Sequence, residues 1–283
     1  MMKPETGLLK RNGLKPAGEG IWTRIPQAEL NGRIADADVF ISDFDECMFP
    51  SITQATASFA VLRKIFSDLS VDGHPELALN MTVNAAGLLG QYFMMKVTKD
   101  LQNSRLILQF EKFAKGIPIS YFDEASDALA PTCYAGVTDA FRVFASRGVP
   151  VGVISLGLDI VIRRLLDRFE SDDCLKFSFY DCTHVRIDSS GRFAGYMPGK
   201  TYTSNEDKRH RIRARCDEYG AKRPLVVGHD RDDTMMFDET KRIGGTCVGF
   251  NPVPDNYGLL DVAVFAEDWR PMAAMFGRAI SQP

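Results

Sequence analysis

The 283-residue chain lacks several features that would mark it as something other than an ordinary globular protein. There is no C-x-x-C pair, since Cys47, Cys133, Cys174, Cys182, Cys216 and Cys247 are scattered. That spacing supplies no zinc framework. In a chain this long without a secretory signal, free thiols in a reducing compartment are the expectation. There is little charge imbalance: 34 Lys+Arg against 37 Asp+Glu gives −3. Neither nucleic acid nor an anionic membrane is expected as a partner on that ground. A long apolar run is also missing. The stretch Met81 to Val97 is interrupted by Asn84, Gln91 and Lys96. It falls short of the roughly 20 residues a membrane span needs, so a buried helix is expected there. The first twenty residues carry Lys3, Glu5, Lys10, Arg11, Lys15 and Glu19 around no apolar centre, unlike a secretory signal. The expected location is cytoplasmic. No internal repeat or low-complexity tract occurs. What is present, 45% apolar and 25% charged residues, is the composition of a soluble globular protein with material for a sizeable core.

Residues 1–38 are rich in Gly and Pro (Pro4, Pro16, Pro26) and are expected to form an irregular extension packed on the surface of the core. Val39-Phe40-Ile41 is a short apolar run ending in Ser-Asp, which suits a buried parallel strand. From Ser51 to about Pro131 the pattern turns helical: Leu62, Ile65, Phe66 and Leu69 recur at i, i+3, i+4 and i+7. Phe110 and Phe113 favour helix over strand for the run that includes Leu106 and Leu108. After Pro131 strands and helices alternate. Val137, Ala140, Phe141 and Phe144 mark a helix that Arg147-Gly148 ends, and Val149 to Ile154 is a strand. Val161, Leu165, Leu166 and Phe169 mark the next helix. Lys176 to Ile187 and Arg192 to Met197 read as a strand pair. Asn205 to Tyr219 is a charged helix. Leu225 to Gly228, Thr246 to Phe250 and Val262 to Phe265 are strands. The implied fold class is α/β, a three-layer parallel-sheet Rossmann-like core (39–50 and 132–283) with an all-helical insert at 51–131. Chemistry in such sheets lies beyond the carboxyl ends of the strands.

Acidic clusters sit at two of those ends. Asp43-Phe44-Asp45-Glu46 comes directly after the first strand, and Gly228-His229-Asp230-Arg231-Asp232-Asp233 after the Leu225 strand. Six carboxylates at neighbouring strand ends repel one another, and a bound cation is the simplest offset. Mg²⁺ prefers oxygen ligands, and an Asp beside it can attack phosphorus because the metal cancels repulsion between two anions. Ser155, with the amides of Leu156 and Gly157, is placed to open a helix N-terminus, where it either binds an anion or simply caps the helix. Lys208, in the first turn of the charged helix, is suited to neutralise a phosphoryl group, and Lys200 is a weaker candidate. Arg209, Arg211, Arg213 and Arg215 read as a solvated face rather than a nucleic-acid patch.

In order, Asp43-Phe44-Asp45-Glu46, Val153-Ile154-Ser155-Leu156-Gly157, Lys208 and Val227 to Asp233 resemble the motifs of the haloacid dehalogenase-like superfamily, most closely its phosphoserine-phosphatase-like branch. Val248-Gly249-Phe250-Asn251-Pro252 resembles the strand that comes after the last motif. The resemblance spans about Val39 to Met275, and the helical insert falls where that branch places its cap. It implies a phosphoric monoester hydrolase. Asp43 would be the nucleophile that forms an aspartyl-phosphate, and Asp45 the general acid and then the base. Ser155, Leu156, Gly157 and Lys208 would hold the phosphate. Mg²⁺ would be bound by Asp43, the Asp45 main-chain carbonyl and residues after Gly228, with His229 and Asp233 at the matching positions. The expected substrate is a small phosphorylated metabolite.

Two departures stand out. His229 occupies the place where the family has a metal-binding aspartate, and imidazole suits zinc, iron or nickel better than Mg²⁺. Asp230, one residue on, is the alternative ligand. Cys47 replaces the usual threonine. The stretch Phe49 to Gln54 also lacks the acidic residue with which phosphoserine phosphatases read the amino group, so phosphoserine is not the expected substrate. Arg63, Gln91, Tyr92 and Arg105 are candidate substrate readers. Two other readings remain open on the same residues: a catalytically weakened phosphate- or metal-binding regulatory protein, and a phosphotransferase using the same intermediate.

Overall fold

A computed structural model of the chain describes residues 4–72, 87, 103–173 and 175–281. In chain order the elements are α1 (Thr6–Arg11), β1 (Lys15–Gly18), β2 (Ile21–Thr23), α2 (Gln27–Ala35), β3 (Val39–Ser42), α3 (Thr53–Asp72), α4 (Asn103–Ala114) and α5 (Ile119–Leu129). They continue as α6 (Val137–Ala145), β4 (Val151–Leu158), α7 (Asp159–Asp173), β5 (Phe179–Thr183), β6 (Val185–Ile187), β7 (Phe193–Tyr196) and α8 (Asn205–Tyr219). The last are β8 (Pro224–Gly228), α9 (Thr234–Ile243), β9 (Thr246–Phe250), β10 (Val262–Val264) and α10 (Arg270–Ser281). The expected buried helix at Met81 to Val97 lies outside the described residues. No helix among the described residues is long and apolar enough to cross a membrane.

Eight strands form one sheet in the order β1-β2-β10-β9-β8-β3-β4-β5. From β10 to β5 neighbouring strands run parallel. Strands β3, β8 and β9 are buried at every position, as a sheet covered on both faces requires. Their alternate residues feed two cores. Phe40, Val227 and Phe250 pack with α2, α6, α7 and α10. Val39, Ile41, Val226 and Cys247 pack with α1, α8 and α9. The result is a three-layer α/β core. Phe40 anchors the central strand between Phe141, Phe144 and Phe276.

The N-terminal segment differs from expectation. Instead of irregular chain, residues 15–23 form a hairpin, and β2 pairs antiparallel with β10 to widen the sheet. Ile21, Trp22 and Thr23 are all buried, so a three-residue apolar run was enough to gain a place at the sheet edge. Between Ser51 and Pro131 the described elements are helical, and α5 packs on both α3 and α7. The Lys176–Met197 region splits: β5 joins the main sheet, while β6 and β7 form a separate hairpin. That hairpin leans on the helical insert through Phe193, which contacts Phe110, and through Gly116 N–H, which donates to the Phe193 carbonyl at 2.9 Å. Cys47, Cys182, Cys216 and Cys247 are buried free thiols.

Candidate active site

Strand order brings the two acidic loops together. Strand β3 lies between β8 and β4, so the loop leaving Ser42 faces the loop leaving Gly228. Asp43 N–H still donates to the Val227 carbonyl at 2.9 Å, which fixes the nucleophile candidate as a continuation of the sheet. Lys208 reaches this point from the far side of the molecule. Helix α8 is polar over most of its surface, but Lys208, Ile212 and Cys216 form an inner stripe at i, i+4 and i+8. Ser204 and Asp207 close a reciprocal cap at its start, so the first turn is well defined. Lys208 Nζ donates to Asp43 Oδ1 and Asp233 Oδ1, both at 2.7 Å. All three side chains are buried.

Charge is balanced closely here. Burial alone would lift the Asp43 carboxyl, but the Lys208 ammonium and then His229 outweigh it and hold it below its ordinary value. Burial and the neighbouring Asp43 charge raise Asp233. Burial would lower Lys208, yet Asp233 and Asp43 raise it, so it stays a cation. Asp233 also builds its own loop. Its Oδ2 accepts from His229 N–H at 2.7 Å and Asp230 N–H at 3.1 Å. A Cβ on Gly228 would lie 2.7 Å from that same oxygen, so glycine is the residue that lets the loop close.

A second group adjoins the first. Asp45 Oδ1 accepts from both the N–H and the Oγ1 hydroxyl of Thr53, each at 2.6 Å. Thr53 is the first residue of α3, where the helical insert begins. Burial pushes the Asp45 carboxyl up to about 6 against the opposing pull of the Thr53 hydrogen bonds. Asp45 Oδ2 and Ser155 Oγ both crowd Gly157: a Cβ there would sit 3.1 and 3.2 Å from them. Thr53 is the residue that sequence reading missed. Its signal was a threonine opening a helical run eight residues after an aspartate.

Ser155 is not at a helix N-terminus. Strand β4 runs on to Leu158, with an irregular register between Ile154 and Leu158, and α7 opens only at Asp159. Ser155 therefore neither caps the helix nor presents its dipole, and Gly157 N–H donates to Ser155 Oγ at 3.0 Å. The reason is that the β4–β5 ladder resumes at Leu158 with Thr183 after the irregularity.

His229 lies among carboxylates. Its Nδ1 is 3.3 Å from Asp43 Oδ2 and 3.7 Å from Asp233 Oδ2, and its Nε2 is 4.0 Å from Glu46 Oε2. Burial would lower the imidazole, but Asp43, Asp233 and Asp230 raise it to about 9. Nδ1 is buried and makes no hydrogen bond of good geometry. Two donor groups share this histidine: Asp43, Cys47 and His229 on the buried side, and Glu46, His229 and Asp230 on the more open side, each with ligand atoms within 4.8 Å of one another. A candidate acidic cation site thus exists. Asp230 belongs to the more open of these two groups. Asp233 has both carboxylate oxygens committed, one to Lys208 and one to two main-chain N–H groups.

Other candidates fall away from the centre. Lys200 and Arg63 are exposed, while Gln91, Tyr92 and the Arg105 side chain lie outside the described residues. The arginines of α8 are ion-paired or stacked rather than merely solvated. Arg209 binds Glu206 and Asp238, Arg213 binds Glu239, Arg215 binds Asp181 and Glu218, and Arg211 lies 4.5 Å from the Tyr202 ring centroid.

No family model matches the chain, and no curated protein matches it by sequence. Solved structures do match. A cytosolic 5′-nucleotidase bound to cytidine superposes with a TM-score of 0.68 at 13% identity, covering 94% of each chain. An HAD family hydrolase from Salmonella enterica serovar Typhi gives 0.61 at 14% identity, over 87% of this chain and 72% of that one. A phosphoserine phosphatase captured as a phospho-aspartyl intermediate analogue gives 0.56 at 16% identity, over 84% and 98%. The chain therefore has the haloacid dehalogenase-like fold, in the form that phosphoserine phosphatase also adopts.

Proposed function

We propose that this protein hydrolyses a small phosphomonoester through a covalent aspartyl-phosphate on Asp43. The observation that carries the reading is the contrast between two neighbouring carboxyls: buried Asp43 accepts from Lys208 Nζ at 2.7 Å, while half-buried Asp45 accepts from the Thr53 N–H and hydroxyl and is pushed up to about 6 by burial. One is suited to attack and the other to carry a proton. The Asp43 carboxylate forms the new P–O bond as the ester P–O bond breaks, and Asp45 delivers its proton to the departing oxygen. Asp45, now a carboxylate, then takes a proton from the water that attacks phosphorus. Inorganic phosphate leaves and Asp43 is restored. Lys208 and the Ser155 hydroxyl would hold phosphoryl oxygens, and residues 51–131 would act as a cap that excludes bulk water. The phosphoserine phosphatase neighbour, captured as a phospho-aspartyl intermediate analogue, supports the assignment of a nucleophile on this fold.

The resemblance implies Mg²⁺. The buried donor group at His229 fits it poorly, because the Asp43 carboxylate, an imidazole and the Cys47 thiol do not make the all-oxygen octahedral set that Mg²⁺ demands, and the more open group with Glu46 and Asp230 still includes that imidazole. The proton and phosphoryl steps above rest on the chain's own groups.

Asp43→Asn should abolish hydrolysis of a chromogenic phosphate ester, a fall on the order of 10⁴-fold or more as for other lost nucleophiles. Equal turnover by variant and parent would remove Asp43 from the role. No turnover by the parent over a broad ester panel, with phosphate still raising the melting temperature, would favour a binding protein instead.

A further inference from the structure

We infer that the dication site beside Asp43 is built for a borderline transition metal of the zinc class, held by Asp43, Cys47 and His229, and not for Mg²⁺. The inference rests on the phosphatase reading only for where the site lies; the donor set stands on geometry.

Three observations support it. First, the chain places an oxygen, a sulfur and a nitrogen within 4.8 Å of one another. A protein that holds Mg²⁺ by side chains has no use for the last two, whereas imidazole and thiolate rank high for Zn²⁺, Co²⁺ and Fe²⁺. Three protein ligands with one position left open is also the pattern of catalytic zinc. Second, the atoms are available. Asp43 gives Oδ1 to Lys208, which leaves Oδ2 toward His229. His229 Nδ1 is buried and lies 3.3 Å from Asp43 Oδ2 without good hydrogen-bond geometry. Cys47 Sγ is fully buried and lies 3.9 Å from the Ser42 hydroxyl. Third, both Asp233 oxygens already accept hydrogen bonds, Oδ1 from Lys208 and Oδ2 from two main-chain N–H groups.

The backbone shows how the sulfur gets there. Glu46 sits in the left-handed region at φ 54°, a conformation that a glutamate adopts only when its surroundings impose it. Met48 N–H donates to the Phe44 carbonyl at 2.8 Å, and the buried Trp269 indole N–H donates to the Cys47 carbonyl at 2.8 Å. The loop is thereby folded back with the thiol inward. On binding, the thiol and the His229 imidazolium each release a proton to solvent and coordinate as thiolate and neutral imidazole, so affinity rises with pH. Glu46 and Asp230 lie on the opposite side of the same imidazole and supply negative charge around the ion.

The test uses Co²⁺ as a spectroscopic probe on the purified full-length chain. Titration should produce a near-ultraviolet thiolate-to-cobalt charge-transfer band and tetrahedral d–d bands. Zn²⁺ should erase both at stoichiometric amounts, and Mg²⁺ in large excess should not. Cys47→Ser should remove the charge-transfer band and weaken Co²⁺ binding more than about 10-fold, the scale on which even supporting neighbours of a ligand act. Should that variant fail to fold, Cys47→Thr serves the same purpose, with circular dichroism as the check on folding. His229→Asp should reverse the order of preference and let Mg²⁺ compete. Binding of Co²⁺ without the charge-transfer band, displacement of Co²⁺ by Mg²⁺ in the parent, or no Co²⁺ binding at all would each overturn the assignment. These readouts are independent of turnover. A chain that hydrolyses esters without the band loses only the donor set, and one that shows the band without turnover loses only the hydrolase reading.

Discussion

Lys208 and Asp127 are near mirror images. Lys208 is one cation between two carboxylates, with 4% of its side chain exposed. Asp127 is one carboxylate between two cations: Arg164 grips it in a fork at 2.8 and 2.7 Å, and Arg168 adds a third contact at 3.1 Å, with 29% exposed. The chemistry is alike and the consequences are not. Asp127 fastens α5 to α7 on a wet surface, where water and salt screen the attraction. Lys208 works where there is little water, so its charge acts on Asp43 and Asp233 with little screening. Depth, more than the number of contacts, separates the two.

The largest effect expected from this contrast is on stability. Lys208→Met leaves two buried carboxyls without their cation and should cost about 3–5 kcal/mol. Asp127→Asn should cost about 0.2–1 kcal/mol and leave turnover intact. Urea unfolding of both variants checks this, and equal losses would erase the distinction.

Next is pH. Asp45 is raised in the folded chain to about 6, so its burden on stability is absent below the unfolded value of about 4, grows between those limits, and stays constant above. Asp127 is lowered by its arginines, so its contribution is present at neutral pH and lost as pH falls below the ordinary carboxyl range. The two therefore slope in opposite senses. The expected kinetic counterpart is a fall in kcat/KM as pH rises through about 6, because Asp45 must carry a proton, and Asp45→Asn should remove that limb along with most of the rate. A flat profile through that range would dissociate Asp45 from acid catalysis.

A smaller effect than that of Lys208→Met is expected from Thr53→Val. It removes the hydroxyl that favours the Asp45 carboxylate, so the limb should move to higher pH while stability drops by about 1–2 kcal/mol. A limb that stays in place would show that Thr53 only caps α3.

Much of the fold was legible in the sequence because pattern and composition agreed at the same positions. Thr246–Phe250 and Asn205–Tyr219 fall where expected, one as an unbroken apolar run and the other as a charged stretch closed by Gly220. The placement of Asp43 and the Gly228 loop at neighbouring strand ends was legible because each comes directly after a short apolar run. The hairpin at 15–23 was not, since three residues among glycines and prolines carry almost no periodicity. Nor were the partners of the α8 arginines, which come from residues as distant as Asp181 and Glu239, 34 and 26 positions away. The extension of β4 past Ser155 was hidden for a different reason: Ser-Leu-Gly reads as a turn, and only pairing with Thr183 carries the strand through.

The N-terminal hairpin has one more implication. Because β2 occupies the outer side of β10, the sheet's margin is passed on to β1, whose four residues are all exposed. Lys15 and Pro16 lie on that margin: the proline cannot donate to an incoming strand, and the lysine is an awkward neighbour for one. A chain trimmed to begin after Thr23 would keep the Asp43–Lys208–Asp233 cluster but bare the apolar flank of β10, and copies would then be free to zip together edge to edge.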